Sequence, residues 1–244
     1  MSSSPASNPP AAPVRTKRVG RQLTPDQIVE ASLRIAARGS ADAFTIRRLG
    51  DELGSDPTAI YRHFRDKDEL MLTVADRMHG EVLDNVPDGL DWRDRLRALA
   101  AAAHAAAVKY PIVASSTASR TTRRVNEFRI VELILGALAE AGLDGADAAL
   151  YYRVVGDSML AYTGQYAAYL LVEPGVRASD EASWSGEYRL ADTARFPHIT
   201  RLGDELPAIT HEAIYEARFE ALIIAIEHLA AERRAAAGDA GTAS

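Results

Sequence analysis

Helix-start signals follow one another closely between residues 24 and 70, and this spacing constrains the fold more than any other feature of the chain. Thr24-Pro25-Asp26-Gln27 places an N-cap, a proline at the first helical position and a capping-box glutamine in order. Thr45, Asp56-Pro57 and Asp66 can each cap a further helix. The sequence therefore predicts helices over about 25–38, 45–54, 57–64 and from 66 to before Pro87, with stops at Gly39 and Gly54.

Helical periodicity continues beyond this segment, and no run of alternating apolar and polar residues predicts a strand. The fold class is therefore expected to be all-α. The stretch of about 173–192 is longer than most connections in compact domains, and it is predicted to be a loop, either a mobile lid or disordered. Further helices are predicted near 92–109, 112–119, 122–141, 145–172 and 207–235.

Apolar residues between Phe44 and Leu70 can close a small core around the turn at Gly54. Two short helices that meet across a three-residue turn are typical of a helix-turn-helix. The exposed start of the second of these helices is the end that such proteins insert into the major groove of DNA. The core positions are Phe44, Leu49, Leu53, Ile60, Phe64 and Leu70, and the residues directed outward are Pro57, Thr58, Tyr61 and Arg62.

The outward side chains have the chemistry that contacts to DNA require. The guanidinium of Arg47, on the preceding helix, can bind O6 and N7 of guanine, while Pro57 and Thr58 offer small contacts to bases. The side chains suited to phosphate oxygens are Tyr61, His63 and Lys67. Lys67 also falls in the first turn of a helix, whose free N–H groups would help to hold the same phosphate. The alternative is that these last three are ordinary core-edge and solvated surface residues.

Charge is distributed unevenly along the chain, whose net charge is −6. Residues 1–67 contain 11 Lys and Arg against 7 Asp and Glu, whereas residues 68–244 contain 17 against 27. A basic front and an acidic body suit a DNA-reading head on a domain that does not bind phosphates.

The two ends of the chain differ in composition from its helical part. Residues 1–20 are rich in Pro, Ala and Ser and then become basic, so we expect a disordered arm. Such an arm either keeps the protein in solution or contacts DNA phosphates or the minor groove. The expected domains are the arm over 1–20, a helix-turn-helix domain over 21–68, a helical body over 69–236 and a disordered tail over 237–244.

The composition also excludes several kinds of chemistry. There is no cysteine, which excludes disulfides, thiol catalysis and thiolate metal sites, and the six histidines lack a paired metal-ligand spacing. We therefore expect no metal, no cofactor and no catalytic residue. No stretch reaches about 18 uninterrupted apolar residues and no signal peptide is evident, so a cytoplasmic protein without membrane contact is expected.

Taken together, the segment from about 24 to 83 resembles the tetracycline-repressor (TetR) family of transcriptional regulators. The motif has the form T-x-R, a glycine at the turn, then Y-x-H-F-x-x-K, and the matching residues are Thr45, Arg47, Gly54, Tyr61, His63, Phe64 and Lys67. Ser55 stands where the family commonly has an apolar residue, and Ile46 where it often has a polar one. The resemblance implies base contacts around Arg47, Pro57 and Thr58 and backbone contacts around Thr45, Tyr61, His63 and Lys67.

The same resemblance implies a homodimeric repressor that binds a palindromic operator in duplex DNA and is released by an unidentified small-molecule effector. It also implies a helical ligand-binding and dimerisation domain after the head, with the last two long helices pairing with their mates. One stripe near the C-terminus is apolar over more area than a solvated helix should expose. The predicted interface residues in it are Tyr215, Phe219, Leu222, Ile223, Ile226 and Leu229, followed by Ala230.

The stretch 147–171 has two apolar faces. Its small-residue face, with Gly156, Leu160 and Gly164, would allow another helix to approach closely. Its tyrosine face could line a cavity for a largely apolar ligand of drug-like size, bounded by the helices near 92–141 and 145–172. The candidate ligand-binding residues are His104, Tyr151, Met159, Tyr162 and Tyr166. The alternative is that the tyrosines pack in the core or in a dimer interface.

Two other functional classes compete with a regulator. An enzyme would use Tyr, His and Asp residues of the helical body, but no Ser/His/Asp order, phosphate-binding glycine loop or metal constellation is recognisable. A helical interaction or ligand-binding module without DNA binding is disfavoured because Arg47, Tyr61, His63 and Lys67 occur together.

Overall fold

The computed structural model describes residues 23–38 and 44–242, and all regular structure within these ranges is helical. The all-α prediction is thereby confirmed. The arm predicted for residues 1–20, the stop at Gly39 and residues 243–244 lie outside the described residues. The helices are α1 (Pro25–Ala36), α2 (Ile46–Leu53), a 3-10 helix (Pro57–Arg62), α3 (Lys67–Asp84), α4 (Trp92–Lys109), α5 (Pro111–Thr117), α6 (Val125–Ala141), α7 (Gly145–Leu170), α8 (Pro174–Ser183), α9 (Pro197–Arg201) and α10 (His211–Thr242).

The first helices begin at the residues that the sequence indicates. Thr24 Oγ1 accepts from the N–H of Gln27 while the Gln27 side chain accepts from the N–H of Thr24, so the capping box is complete. Thr45 caps α2 and Asp66 caps α3 through the same kind of side-chain bond. Gly54 ends α2 at φ 62°, a left-handed conformation in which a side chain is strained.

The segment predicted as a third α-helix is instead a 3-10 helix. Asp56 caps it as expected, with Oδ1 accepting from the N–H of Thr58 at 2.8 Å. The backbone bonds that follow span three residues, from the N–H of Ala59 to Asp56 and from that of His63 to Ile60.

A continuous core runs from α1 to α10 and joins the head to the body. α3 links them, because it begins in the head and packs on α1, α4 and α6, so the domain boundary expected at 68/69 falls inside this helix. The tightest packing of the body is between α5 and α7. There Gly164 permits close approach as expected, since a Cβ on it would lie 2.3 Å from the Cβ of Ala118.

The loop predicted over 173–192 is wrong. Most of it forms α8 and a single π-helical turn at Trp184–Tyr188. Pro174 occupies the first helical turn, and the Glu173 carboxylate caps it by accepting from the N–H of Val176, so the proline starts a helix here. α10 begins at residue 211 rather than 207 and its backbone continues to 242 rather than 235, so much of the predicted tail is helical.

Within the described residues, no single helix combines the length and apolar character that a membrane crossing needs. α4 and α5 reach that length and composition only as a pair, and the chain bends by 112° between them.

Candidate DNA-reading surface and internal cavity

The 3-10 helix packs on the core of the head through its apolar residues and presents its polar residues on the surface. Ile60 is fully buried and Phe64 is nearly so, and both join the core formed by Leu49 of α2. Thr58 and Arg62 are exposed, and the Tyr61 side chain is 48% exposed despite its size. Since these side chains alternate with the buried ones, the local sequence determines which face of the helix can meet another molecule.

Thr58 and Asp56 form a compact polar unit at the start of this helix. The hydroxyl of Thr58 donates to Oδ1 of Asp56 at 2.6 Å, which lowers the pKa of the aspartate. The proton of Thr58 is thereby committed to Asp56, while its oxygen lone pairs and methyl group stay available. Thr58 is thus arranged to accept a hydrogen bond or to contact a thymine methyl.

Two cations of α2 lie on the exposed side of the head. Arg47 and Arg48 are exposed and form no ion pair with any of the residues that the structure describes. By contrast, Arg34 of α1 and Arg38, which follows this helix, both bind Glu52, at 3.2 and 2.8 Å, which lowers the pKa of this carboxyl. These two guanidinium groups are thereby engaged by a carboxylate, while that of Arg47 stays available.

Lys67 is exposed but held in place. Its Nζ donates to the carbonyl oxygen of Phe44 at 3.2 Å and lies 5.6 Å from the centre of that ring. Thr45 is also exposed, and its Oγ1 accepts from the N–H of Arg48 at 3.1 Å. Both predicted phosphate contacts therefore lie where α2 and α3 begin, while His63 is partly buried at the end of the 3-10 helix.

Gly50 is a structural residue of this head that the sequence analysis missed. A Cβ at this position would lie 3.0 Å from the carbonyl oxygen of Ser55 and 3.1 Å from Cγ of Pro57. The missing side chain lets the turn close onto α2 and brings Pro57, which is partly buried, against it. A glycine inside a predicted helix, next to the buried Leu49, was the available signal.

A mainly apolar enclosure lies between α3, α4, α5, α6 and α7 and has a volume of about 100 Å³. Of the five candidate ligand residues, only Met159 lines it. The small-residue face of α7 reaches it through Gly156 and Leu160, so the expectation that the tyrosine face lines this cavity is wrong. Pockets for drug-sized ligands typically measure roughly 300–1,000 Å³, so this enclosure is smaller than expected.

The tyrosine face of α7 packs instead against α4 and α10. Tyr166 stacks on His104 with ring centres 5.2 Å apart and contacts His211 at 4.5 Å. The hydroxyl of Tyr162 donates to the carbonyl oxygen of His211 at 2.7 Å. Tyr151 is partly buried against the main core. Sequence spacing correctly grouped these residues on one face but could not identify the surface that covers it.

His104 also lines a second cavity, of about 390 Å³, between α4 and α10. Tyr215 and Phe219 form its aromatic wall, and Glu212, Glu216 and Glu220 lie along it. Glu220 is paired with Arg97, whose Nε lies 2.5 Å away. Of the predicted ligand residues, Met159 and His104 therefore line two different enclosures, and the three tyrosines line neither of them.

The apolar stripe on α10 does not need a partner chain to cover it, contrary to the expectation from the sequence. Four predicted interface residues are buried within the chain itself: Tyr215, Phe219, Ile223 and Ile226. The hydroxyl of Tyr215 donates to the carbonyl oxygen of Ala100 in α4 at 3.0 Å, and burial raises its pKa. Leu222 and Leu229 are partly buried against the same core. An apolar stripe indicates that a helix face is covered, and here α4, α6 and α7 of the same chain cover it.

Asp76 and His79 of α3 were also missed, although both are central to the body. Asp76 accepts from the backbone N–H groups of Asn126 and Glu127, at 3.1 and 3.0 Å, and so caps α6 from a distant helix. His79 lines the cavity, its Nδ1 is buried without a hydrogen-bond partner, and burial lowers its pKa. Among the described residues, no three potential metal ligands come together.

Curated proteins similar to this chain are regulators. An HTH-type transcriptional regulator of Saccharopolyspora erythraea is 30% identical over 135 residues, which are 55% of this chain and 57% of that protein. An HTH-type transcriptional repressor of Mycobacterium tuberculosis is 27% identical over 147 residues, 58% of this chain and 56% of that protein. The chain thus spans little more than half the length of the curated relatives that it matches.

Solved structures share the fold. Apo ActR from Streptomyces coelicolor matches with a TM-score of 0.74 at 21% identity, and the match covers 88% of this chain and 100% of the ActR chain. BioQ with its natural double-stranded DNA operator matches with a TM-score of 0.52 at 29% identity, and the match covers 66% of this chain and 98% of the BioQ chain.

Family profiles match most of the described chain. The profile of bacterial regulatory proteins of the tetR family matches residues 28–74, which include α2, the 3-10 helix and the start of α3. The profile of the tetracyclin repressor-like C-terminal domain matches residues 86–231, which include the second cavity and all lining residues of the first except those of α3. On this evidence the chain belongs to the tetR family of bacterial regulatory proteins.

Proposed function

We propose that this protein is a ligand-responsive DNA-binding transcriptional regulator, a repressor that leaves its operator when a small molecule occupies the body. The observation that carries the proposal is the course of α3. Its first residue, Lys67, lies at the exposed surface of the head, and Met78, His79 and Val82 of the same helix line the cavity. A ligand that changes the position of α3 would therefore move the DNA-reading surface.

In this proposal the exposed start of the 3-10 helix enters the major groove. Arg47 reads a base edge, with Pro57 and Thr58 beside it, because its guanidinium is exposed and unpaired. Thr45, Tyr61, His63 and Lys67 contact the phosphate backbone. Relatives support this assignment: BioQ binds a double-stranded DNA operator, and ActR was crystallised with actinorhodin.

The protein is proposed to act as a homodimer, through a different face from the buried stripe. The exposed sides of α7 and α10 carry small and apolar residues, which would allow two helix pairs to approach closely. These residues are Ala149, Leu150, Ala161 and Ala168 in α7, and Ile214, Ala217, Ala221 and Ile224 in α10. A twofold dimer reads a palindrome with half-sites about one helical turn, or a multiple of it, apart.

The DNA assignment is tested by two substitutions that each delete one positive charge. Selection of bound genomic fragments first supplies the operator, and both variants are then titrated on operator and scrambled duplexes at several salt concentrations. Arg47→Ala is expected to cost roughly 1–3 kcal/mol on the operator and less on scrambled DNA. Lys67→Ala is expected to weaken both duplexes by similar factors and to reduce the salt slope by about one unit per half-site.

Arg129→Ala is the matched control, since Arg129 is equally exposed but lies on α6 in the body. It should leave both affinities unchanged. If Arg47→Ala weakens both duplexes equally, Arg47 belongs with the phosphate contacts. If the unmodified protein shows no salt-dependent retention on any duplex, the regulator assignment is wrong and a helical module without DNA binding takes its place.

A further inference from the structure

The cavity between α3 and α7 combines a mainly apolar wall with a cluster of polar groups, which we call its polar end. Met78, Val82, Ile134, Met159 and Leu160 form most of the apolar wall. The polar end is formed by His79, Thr122, Glu127 and Tyr152. Apolar walls with a few convergent polar groups are the usual construction of a small-molecule site, where the polar groups fix orientation and select the ligand.

Glu127 connects the polar groups of this end. Its Oε2 accepts from the Thr122 hydroxyl and from the N–H of Arg123, both at 2.6 Å, whereas its Oε1 accepts no bond from any described residue. It also lies close enough to His79 and Tyr152 to favour the protonated form of each. The polar end therefore has an unused carboxylate oxygen next to an imidazole.

His79 contributes a second unused group. Its Nδ1 is buried and has no hydrogen-bond partner, although buried polar atoms in folded proteins are normally paired. Burial lowers the pKa of the ring, so at neutral pH the imidazole is uncharged and one of its nitrogens is an acceptor. Between them, His79 and Glu127 offer acceptors to whatever occupies the cavity.

The charge of this end is unfavourable to an anion. Glu127 lines the cavity, and Asp76 lies behind it on the same network. Arg120 also lines the cavity, but its two terminal nitrogens are occupied by the two oxygens of Asp68 at 2.7 Å each. A carboxylate ligand would therefore meet two negative groups and no uncommitted guanidinium, and a fully charged cation would lose its hydration against the apolar walls.

We propose that the cavity binds an apolar, ring-sized molecule that carries an uncharged hydrogen-bond donor, such as a phenol, and that His79 and Glu127 accept from this donor and exclude carboxylates. The inference rests on the proposed function in taking this cavity as the effector site. Phenol-type ligands supply a donor to these two unused acceptors, and they bury a ring against the apolar wall.

The experiment measures direct binding of three fluorinated probes of one size to the full chain, without DNA, by ¹⁹F NMR. The probes are 4-fluorophenol, 4-fluorotoluene and 4-fluorobenzoate. The phenol is expected to bind at least about tenfold more tightly than the toluene, the gain of one hydrogen bond to a buried acceptor, and the benzoate more weakly than either. In His79→Phe the preference for the phenol should fall below about threefold, and in Glu127→Gln the benzoate should gain affinity.

His104→Phe is the matched control, because Nε2 of His104 is likewise buried without a partner but the ring lines the other cavity. It should keep the full preference for the phenol. Equal binding of phenol and toluene, no binding of any probe, or a preference lost in His104→Phe and kept in His79→Phe would each overturn the proposal. Should His79→Phe fail to fold, the wild-type imidazole ¹H–¹⁵N spectrum decides, since only the phenol should shift the His79 signals.

The outcome is separable from the fate of the proposed function. A protein that binds no DNA but prefers the phenol through His79 would remove the regulator assignment and keep the cavity chemistry. A protein that binds its operator and shows no probe selectivity would keep the regulator assignment and remove the proposed cavity chemistry.

Discussion

The head and the body of this protein differ in how some of their helices start. In the head, α1, α2 and α3 are capped by the residue immediately before each of them, Thr24, Thr45 and Asp66. In the body, α4 and α8 are capped in the same way by Asp91 and Glu173, but α6 has no local side-chain cap. Asp76, 50 residues earlier in the chain, accepts N–H groups of the first turn of α6 instead. The start of α6 is therefore organised by a neighbour in space, whereas these helix starts of the head are organised by neighbours in sequence.

This difference explains why the sequence identified the exposed residues of the head better than the residues of the cavity wall. A surface held by local caps and a short periodic core keeps its side chains in predictable directions, as Thr58 and Tyr61 illustrate. A cavity wall depends on which helix lies opposite, and the walls here combine residues from five helices. The predictions below test whether the body depends on non-local contacts as strongly as this comparison implies.

The largest effect is expected from truncating the buried side of α10. Ile226→Ala should lower the free energy of unfolding by roughly 2–5 kcal/mol, because Ile226 is fully buried among residues distant in sequence. Ile224→Ala on the same helix should change the free energy of unfolding of the monomer by less than about 1 kcal/mol, since that side chain is 62% exposed within one chain. Urea denaturation at several protein concentrations separates core loss from any loss of dimer. Equal destabilisation by the two variants would refute the assignment of faces.

Removing the distant cap should cost more than removing a local one. Asp76→Ala leaves the partly buried N–H groups of Asn126 and Glu127 without their acceptor, and we expect a loss of roughly 2–3 kcal/mol. Thr45→Ala should cost about 1 kcal/mol, because the exposed N–H of Arg48 can then donate to water instead of to Thr45 Oγ1. Denaturant unfolding of the two variants compares them directly, and a larger loss for Thr45→Ala would reverse the comparison.

Close packing of α5 against α7 predicts opposite signs for two glycine substitutions in one helix. Gly164→Ala should destabilise the protein by about 1–3 kcal/mol, since its Cβ would lie 2.3 Å from the Cβ of Ala118. Gly156→Ala should be neutral or stabilising by up to about 1 kcal/mol, because the nearest atom, in Tyr152, is 3.9 Å away. Thermal melts of the two variants test both signs. Adding Ala118→Gly to Gly164→Ala should restore the lost stability, and if it does not, the clash is elsewhere.

The smallest effect concerns pH. Burial lowers the pKa of His79, whereas in the unfolded chain the ring titrates near 6.5, so the unfolded state binds more protons as the pH falls below that value. Between pH 7 and 5.5 the free energy of unfolding should therefore fall by at most about 1 kcal/mol through this residue. His79→Phe should flatten the dependence, as measured by urea denaturation at both pH values.

The head should respond in a lower pH range. The pKa values of Glu52 and Asp56 are lowered by their hydrogen bonds to Arg38 and Thr58. Their contribution to the free energy of unfolding is therefore present above about pH 4 and is lost below it.

For His79 in the body, the contradicting result is an unchanged dependence of the free energy of unfolding on pH, between pH 7 and 5.5, in His79→Phe. That result would show that the response of the body comes from another group.

Sequence alone determined the helical fold, the caps of the head and the exposed residues of the reading surface, because each depends on contacts within a few residues. Thr45, Gly54 and Asp66 act at the positions where their side chains or backbone freedom predict. Even here the backbone type of the element at Pro57–Arg62 escaped prediction, because caps and apolar spacing indicate a helix without distinguishing α from 3-10 hydrogen bonding in so short a segment.

Tertiary structure alone decided what covers each apolar face. The stripe from Tyr215 to Ile226 and the tyrosine face of α7 were both recognised, yet periodicity says only that a face must be covered. In the structure α4, α6 and α7 cover the stripe on α10, and α4 and α10 cover the tyrosine face. Asp76 and His79 escaped notice for the same reason. Their roles come from α6 and α7, helices more than 45 residues away, and no local pattern records the presence of such partners.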